Sequence, residues 1–383
     1  MVRGNGIKRS ETIEKGCPCL RYGEIYTSYN VILDEPKSFV AKELFDRSVK
    51  IKKGDLVFTL TGENTEEIAK ALAYLGDDEI AAGGDLAVWT GHGCDSKYLA
   101  YLMYSPQLIS QKAATGNGNI VVHTSIKKLQ QIEIPLPPLS VQREIVARLE
   151  RELATVEKIK KDFEALAETA RAEFKSELKE VFEEISRGGA ETRRLGAVCE
   201  FENGDRGSNY PAKSKLLPNG EIPFISAINI ANRSIREDNL LYLSQLQYEK
   251  LRAGKLQKGD IALCIRGSLG KFCIYSYERG AIASSLVILR CKELLSVGFL
   301  ANFLESDLFF KQVAENGTGT AQPNLAAKNV MSFEIPLPSL AVQREVVARL
   351  DSAKARAEKL EAKAREGVAV CETMRKAILK EAF

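Results

Sequence analysis

Histidine is nearly missing from this chain: His92 and His123 are the two in 383 residues. A Ser-His-Asp triad or a histidine metal site would have to use one of them, and neither sits in a catalytic frame. His92 lies in Gly91-His-Gly-Cys94, which reads as a loop. The eight cysteines form no CxxC pair, since Cys17 and Cys19 are separated by one residue and Cys94, Cys199, Cys264, Cys273, Cys291 and Cys371 are scattered. That spacing excludes a zinc ribbon and predicts reduced, structural thiols with no metal bound. A run of about 18 apolar residues and a signal peptide are both lacking, so a cytoplasmic chain without membrane contact is expected. Charge of one sign is lacking too: 54 basic residues face 51 acidic ones, so a phosphate-binding surface has to be local.

The motifs of cofactor chemistry are also absent. An adenine methyltransferase needs a Gly-rich cofactor loop and an Asn/Asp-Pro-Pro-aromatic motif, and the one Pro-Pro pair here, Pro137-Pro138, precedes Leu139. Gly116-Asn-Gly-Asn-Ile lacks the third glycine of a dinucleotide fingerprint, and Gly267-Ser-Leu-Gly-Lys271 is too short for a phosphate loop. Asp260 and Glu278, the imaginable nuclease carboxylates, read as solvated charges at strand edges. A non-catalytic chain holding no cofactor of its own is expected.

What the sequence has is a repeat. Ile134-Pro-Leu-Pro-Pro-Leu-Ser-Val-Gln-Arg-Glu-Ile-Val-Ala-Arg-Leu149 returns as Ile335-Pro-Leu-Pro-Ser-Leu-Ala-Val-Gln-Arg-Glu-Val-Val-Ala-Arg-Leu350, an offset of 201 residues. Tyr98-Leu-Ala-Tyr-Leu and Phe299-Leu-Ala-Asn-Phe share that offset, as do Gly116-Asn-Gly and Gly317-Thr-Gly. Lys53-Gly-Asp-Leu and Lys258-Gly-Asp-Ile are 205 apart, so the first copy carries four extra residues between these landmarks, a length change that belongs in a loop. Two copies are too few for a solenoid; a duplicated protein with a pseudo-two-fold axis is expected.

Within each copy, Asp55-Leu-Val-Phe-Thr-Leu60, Asp260-Ile-Ala-Leu-Cys-Ile265, Lys271-Phe-Cys-Ile-Tyr-Ser-Tyr277 and Ser285-Leu-Val-Ile-Leu-Arg290 read as buried strands. Residues 98–114 and 297–315 have helical apolar spacing and stop at Gly116 and Gly317, the residue type favoured just past a helix end. After each Ile-Pro-Leu-Pro the chain turns rich in Ala, Glu, Lys, Arg and Leu without proline, predicting two long helices. Ile145, Leu149, Leu153, Val156, Ile159, Phe163, Leu166, Ala170, Phe174, Leu178 and Val181 recur at spacings of three and four in the first. Val346, Leu350, Ala353, Ala357, Leu360, Ala364, Val368, Cys371, Met374 and Ile378 do so in the second. A bulky stripe facing a small one predicts an antiparallel pair within the chain, about 65 Å long for about 45 residues.

This order, a globular half, Ile-Pro-Leu-Pro, a long helix and then all three again, resembles the specificity subunits of Type I restriction-modification systems over nearly the whole chain. Leu195-Gly-Ala-Val-Cys-Glu-Phe-Glu-Asn-Gly204, Ile222-Pro-Phe-Ile-Ser and Lys258-Gly-Asp-Ile support it. The resemblance implies an α+β architecture: two α/β target-recognition domains at 1–138 and 188–338, joined by long coiled-coil helices at 139–187 and 339–383. It implies that each domain reads one half of a split, asymmetric site in double-stranded DNA, and that the helices set the spacer. Two modification subunits would bring S-adenosylmethionine to methylate adenine. Restriction subunits would translocate and cut with ATP and Mg²⁺. Pro18 aligns with Pro223, yet 28 residues lead from Leu195 to Pro223 and 17 precede Pro18. The first domain is therefore expected to lack the segment matching 195–202, its first strand, so that its start lies upstream or its sheet tolerates an unpaired edge.

Sequence readout calls for Arg, Lys, Asn, Gln or small polar groups near base edges, and positioning calls for basic groups and amides at phosphates. In the first domain the candidates are Lys8, Arg9, Arg21, Tyr26, Tyr29, Asn30, Asn117, Asn119 and His123. In the second they are Arg206, Asn209, Lys213, Lys215, Asn229, Arg233, Arg236, Thr318, Thr320, Gln322 and Asn324. At the helix starts Gln142, Arg143, Arg148, Gln343, Arg344 and Arg349 either face partner subunits or serve the same packing need in both copies. The rivals are a specificity subunit for a fused restriction-methylation enzyme, a coiled-coil scaffold whose globular halves bind proteins, and a nuclease.

Overall fold

A computed structural model describes residues 1–118, 121–317 and 324–383. The chain divides into two compact units, Met1–Glu164 with Ala364–Phe383, and Ala165–Lys363. Both mix helices with sheets, in tandem, as the repeat predicts. The helices Leu139–Arg187 (49 residues) and Leu340–Ala382 (43 residues) each give part of their length to both units.

In the first unit, strand Leu86–Trp89 pairs antiparallel with Leu56–Thr59, which pairs with Ala71–Tyr74. Leu56, Val57, Phe58, Ala71, Leu72 and Ala73 are buried on both faces, which is why these segments read as continuous apolar runs rather than alternating ones. In the second unit Leu286–Cys291, Ile261–Cys264 and Phe272–Ile274 repeat the arrangement. A second sheet in each unit contains a parallel pair, Cys17–Leu20 with Ile80–Ala82 and Ile222–Ile225 with Arg279–Ile282. In both copies the glycine of Lys-Gly-Asp, Gly54 and Gly259, has φ of +91°, and the buried aspartate after it accepts the N–H three residues back. Asp260 also holds Arg290 at 2.7 Å, so it anchors a turn.

Three sequence expectations need correction. Val2–Arg3 pairs with Val88 and Ala87 just as Glu202–Asn203 pairs with Ile288 and Val287, so the end of the expected missing strand is present. The helical stretches 98–114 and 297–315 are each two helices: Ser96–Leu102 then Pro106–Thr115, and Val297–Glu305 then Asp307–Asn316. Ser105 and Ser306 break them, each hydroxyl accepting from an N–H in the first turn of the new helix, and Pro106 takes the first helical position, where its missing N–H costs nothing. Gly116 and Gly317 close the second helix of each pair, as their positions predict, at φ of −70° and −74°, outside the left-handed region. Finally, the helical seam drifts. Leu149, Ala170, Leu350, Ala353, Ala357, Ala364 and Cys371 are buried, but Ile159, Leu166 and Met374 are exposed, while Leu379 is buried in place of Met374's continuation of the stripe.

The helices meet side by side within each unit. In the first, Lys160 pairs with Glu372 and the Phe163 ring sits over Gly367. In the second, Arg171 pairs with Glu361 and Arg356 with Glu177. Partners climb along one helix as they descend along the other, the antiparallel sense the seam predicts.

Candidate nucleic-acid interface

The repeated Gln-Arg-Glu positions each domain on its helix. Gln142 is buried: its side-chain carbonyl accepts the Asp95 N–H at 2.9 Å and its amide donates to the Pro137 carbonyl at 2.7 Å. Gln343 repeats this with Ser296 N–H at 2.9 Å and the carbonyls of Leu294 and Pro338. Asp95 and Ser296 are themselves the caps of the helices that follow them. The repetition of this glutamine therefore has an internal cause, the same buried hydrogen bonds in both copies. Arg143, Arg148 and Arg344 are exposed. Arg349 reaches Glu177 and Glu184 at 3.1 Å each and Glu180 at 3.7 Å on the other long helix.

The four-residue difference between copies resolves to one hairpin. Between Leu56–Thr59 and Ala71–Tyr74 lie the eleven residues 60–70; between Ile261–Cys264 and Phe272–Ile274 lie the seven residues 265–271. In each copy this turn meets the Gly-rich segment after the helix. Thr61–Gly62 pairs antiparallel with Val122–His123, Asn117 and His123 exchange two backbone hydrogen bonds at 2.9 Å, and His123 Nδ1 lies 3.1 Å from Thr61 Oγ1. In the second copy Arg266 bridges Asn324 at the corresponding place. Leu60 accepts the Thr124 N–H and Ile265 accepts the Leu325 N–H, so the backbone contact is the same and the side chains differ. Thr61 and Arg266, the turn residues of this ribbon, were missed as site candidates; the one signal for them in the sequence was the change of offset.

The remaining candidates scatter. Lys8 and Arg21 line a pocket of about 450 Å³ with Arg3, Gly4, Gly83 and Gly84; Arg9 is exposed close by in the chain. Arg21 pairs with Glu24 at 3.3 Å and its Nε is buried without a partner. The Tyr26 hydroxyl bonds Thr59 Oγ1 at 2.8 Å and donates within reach of the Thr61 and Glu67 carbonyls, so it props up the hairpin turn from below; burial pushes it above the usual phenol range. The Tyr29 hydroxyl accepts the Lys37 N–H, and Asn30 accepts from Arg375 at 3.0 Å. Arg206, Lys213, Lys215 and Arg236 are exposed, while Asn209 gives its backbone carbonyl to Gln247. Two candidates are internal. Asn229 is buried on Ser226, and Arg233 holds Glu305 through two bonds of 2.7 and 2.6 Å, Asn302 at 2.7 Å and Asp351 at 3.4 Å. Four of the five Arg233 N–H donors are directed at these acceptors. Asn119, Thr318, Thr320 and Gln322 lie outside the described residues.

Among the described residues no group of His, Cys, Asp or Glu is arranged to hold a metal ion, and no helix is long and apolar enough to cross a membrane. His92 is committed to the Gly54 carbonyl at 2.9 Å and to the edge of Trp89. One α/β scaffold built twice, docked on its helix by the same buried glutamine and edged by different ribbons, defines a duplicated recognition protein. The family described as Type I restriction modification DNA specificity domain matches residues 10–166 and 188–368, and the chain belongs to it. Its role is recognition of DNA sequence in a Type I restriction-modification system.

The Type I restriction enzyme MjaVIII specificity subunit of Methanocaldococcus jannaschii is 24% identical over 328 residues, 81% of this chain and 74% of that protein. The EcoBI specificity subunit of Escherichia coli is 24% identical over 324 residues, 76% of this chain and 66% of that protein. In fold, the chain matches one solved in work on complex assembly and conformational transition of the type I R-M system, with a TM-score of 0.74 at 21% identity, over 91% of this chain and 86% of that one. It also matches the HsdS subunit from Thermoanaerobacter tengcongensis, with a TM-score of 0.55 at 22% identity, over 91% and 85%.

Proposed function

We propose that each domain reads one half of a split, asymmetric DNA site, that the long helices carry the modification and restriction subunits, and that this chain performs no chemistry itself. The observation that carries the first part is the pair of ribbons. The backbone contact between hairpin and Gly-rich segment is repeated, yet Thr61 and His123 on one are Arg266 and Asn324 on the other. Two readers of different half-sites need a constant frame with variable edges. Methyl transfer would then use S-adenosylmethionine bound by a partner, and cleavage ATP and Mg²⁺ bound by another.

Partner docking is supported by apolar side chains that the chain leaves uncovered at matching places. Leu139 and Val141 open the first long helix at 44% and 39% exposure, and Leu340 and Val342 open the second at 41% and 39%. Exposed apolar residues repeated at one spot mark an interaction surface better than isolated ones do. Co-expression with the modification subunit from the same genome, followed by long-read methylation sequencing, tests the whole proposal: methylated adenine in one bipartite motif is expected. A continuous palindrome, or no new motif, overturns it.

A further inference from the structure

Two thiols oppose each other across the sheet of the second unit. Cys199, at the start of strand Cys199–Asn203, is the direct antiparallel partner of Cys291, at the end of Leu286–Cys291. The Lys292 N–H donates to the Val198 carbonyl at 2.9 Å, so the hydrogen bond lies just outside the pair. That makes Cys199 and Cys291 a non-hydrogen-bonded pair, the position in an antiparallel ladder where Cα atoms come to about 4.5 Å and side chains are closest. A disulfide spans Cα separations of roughly 4.4 to 6.8 Å, a range that includes the usual spacing of such a pair.

From this register we infer that Cys199 and Cys291 are a redox-active dithiol, a modification site that a peroxide converts to a cross-strand disulfide. The two sulfurs are unequal. Cys199 is buried, and the hydrogen bond with Cys291 together with burial holds its thiol well above the usual range, whereas Cys291 is half-buried. Cys291 therefore reacts first. Its sulfur attacks one peroxide oxygen, the O–O bond breaks, and the departing hydroxide leaves as water with the thiol proton, giving a sulfenic acid. The Cys199 sulfur then attacks the Cys291 sulfur, the S–O bond breaks, and the second hydroxide leaves as water with the Cys199 proton. Two thiols lose two electrons and hydrogen peroxide is reduced to two waters. The position gives the bond something to act on. Just past Cys291 runs the Leu294–Ser296 loop that Gln343 grips, so the disulfide would pin the sheet at the joint between the domain and its long helix. The first copy has Gly91 where the second has Cys291, which confines the site to the second domain.

The full chain, treated with hydrogen peroxide, denatured and alkylated, should fall from eight alkylatable thiols to six. A peptide joining Cys199 to Cys291 should appear, and dithiothreitol should restore both thiols. Cys291→Ser should abolish the joined peptide and leave Cys199 alkylatable. Over-oxidation of Cys291 with Cys199 still free, a disulfide elsewhere, or no loss of thiols each overturns the inference. The result is independent of whether the chain reads DNA, since no DNA or partner enters the measurement.

Discussion

The Gln343 side chain accepts the backbone N–H of Ser296 at 2.9 Å while its amide donates to Leu294 and Pro338, so one buried residue ties the start of the second long helix to the domain before it. Gln343→Met keeps the length and apolar fit but strands one N–H and two carbonyls in the interior. Each stranded group costs about 1 to 3 kcal/mol, partly recovered by relaxation, so the second unit should lose on the order of 2 to 4 kcal/mol. Arg344→Ala, one residue on but exposed, should stay within about 0.5 kcal/mol. Urea midpoints at unchanged slope check both; equal effects would show that the glutamine is not the anchor.

Gly367 lies in the second long helix, where alanine would ordinarily be favoured by about 1 kcal/mol. Here a Cβ would sit 2.5 Å from Cε1, Cε2 and Cζ of Phe163. Overpacking of that kind costs about 1 to 3 kcal/mol, so Gly367→Ala should destabilise in spite of its propensity. Phe163→Leu in the same chain should recover the loss. A double-mutant cycle by thermal unfolding reads the coupling, and additive effects would rule out the contact.

The fold was legible wherever the repeat or the apolar pattern spoke, and the site was legible in outline only. The offsets of 201 and 205 found the duplication and announced the four extra residues, but not that they lie in residues 60–70. A serine inside a helical apolar pattern looks like a surface residue, so Ser105 and Ser306 gave no sign of breaking the helices. Arg233 and Gln343 carry the side chains of a DNA or partner contact, and only the carboxylates and carbonyls that the fold brings to them reveal an internal role. Met374 continues a three-and-four spacing that the helix itself, at 3.6 residues per turn, carries away from the seam.

Lys112 sets a pH dependence. It is buried with its ammonium on the Ala69 carbonyl and near the Tyr104 ring, in a cleft with Lys70, Glu66, Glu67, Glu372, Arg375 and Lys376. Burial, then the charge of Lys70, lowers it from 10.5 to about 7. Between those values the unfolded chain binds more protons than the folded one, so the contribution to stability rises with pH over that window and is worst near neutrality. The second copy has Val313 at this place. Lys112→Met should therefore stabilise the first unit at pH 7 by up to a few kcal/mol, and the advantage should shrink by pH 9.5. Denaturant unfolding of both proteins at the two pH values checks it; an advantage independent of pH would mean that Lys112 is not titrating.

Under the proposed reading of DNA, Arg266 is the side chain of the second ribbon expected to meet a base. It is exposed at the place where the first copy has Thr61, and it sits on backbone held by the bridge to Asn324, so its guanidinium is presented on a fixed base. An arginine so placed matches the two acceptors of a guanine edge in the major groove, a contact worth about 1 to 3 kcal/mol of discrimination. Arg266→Ala, in the complex with its modification subunit, should leave one half of the methylated motif intact and relax one position of the other, roughly ten- to hundred-fold in competition binding. Arg266→Lys should not rescue it, because an ammonium lacks the planar fork. If weakening were instead uniform across sequences, with a salt slope lower by about one, Arg266 would be a phosphate contact and the choice of base would lie elsewhere on the domain.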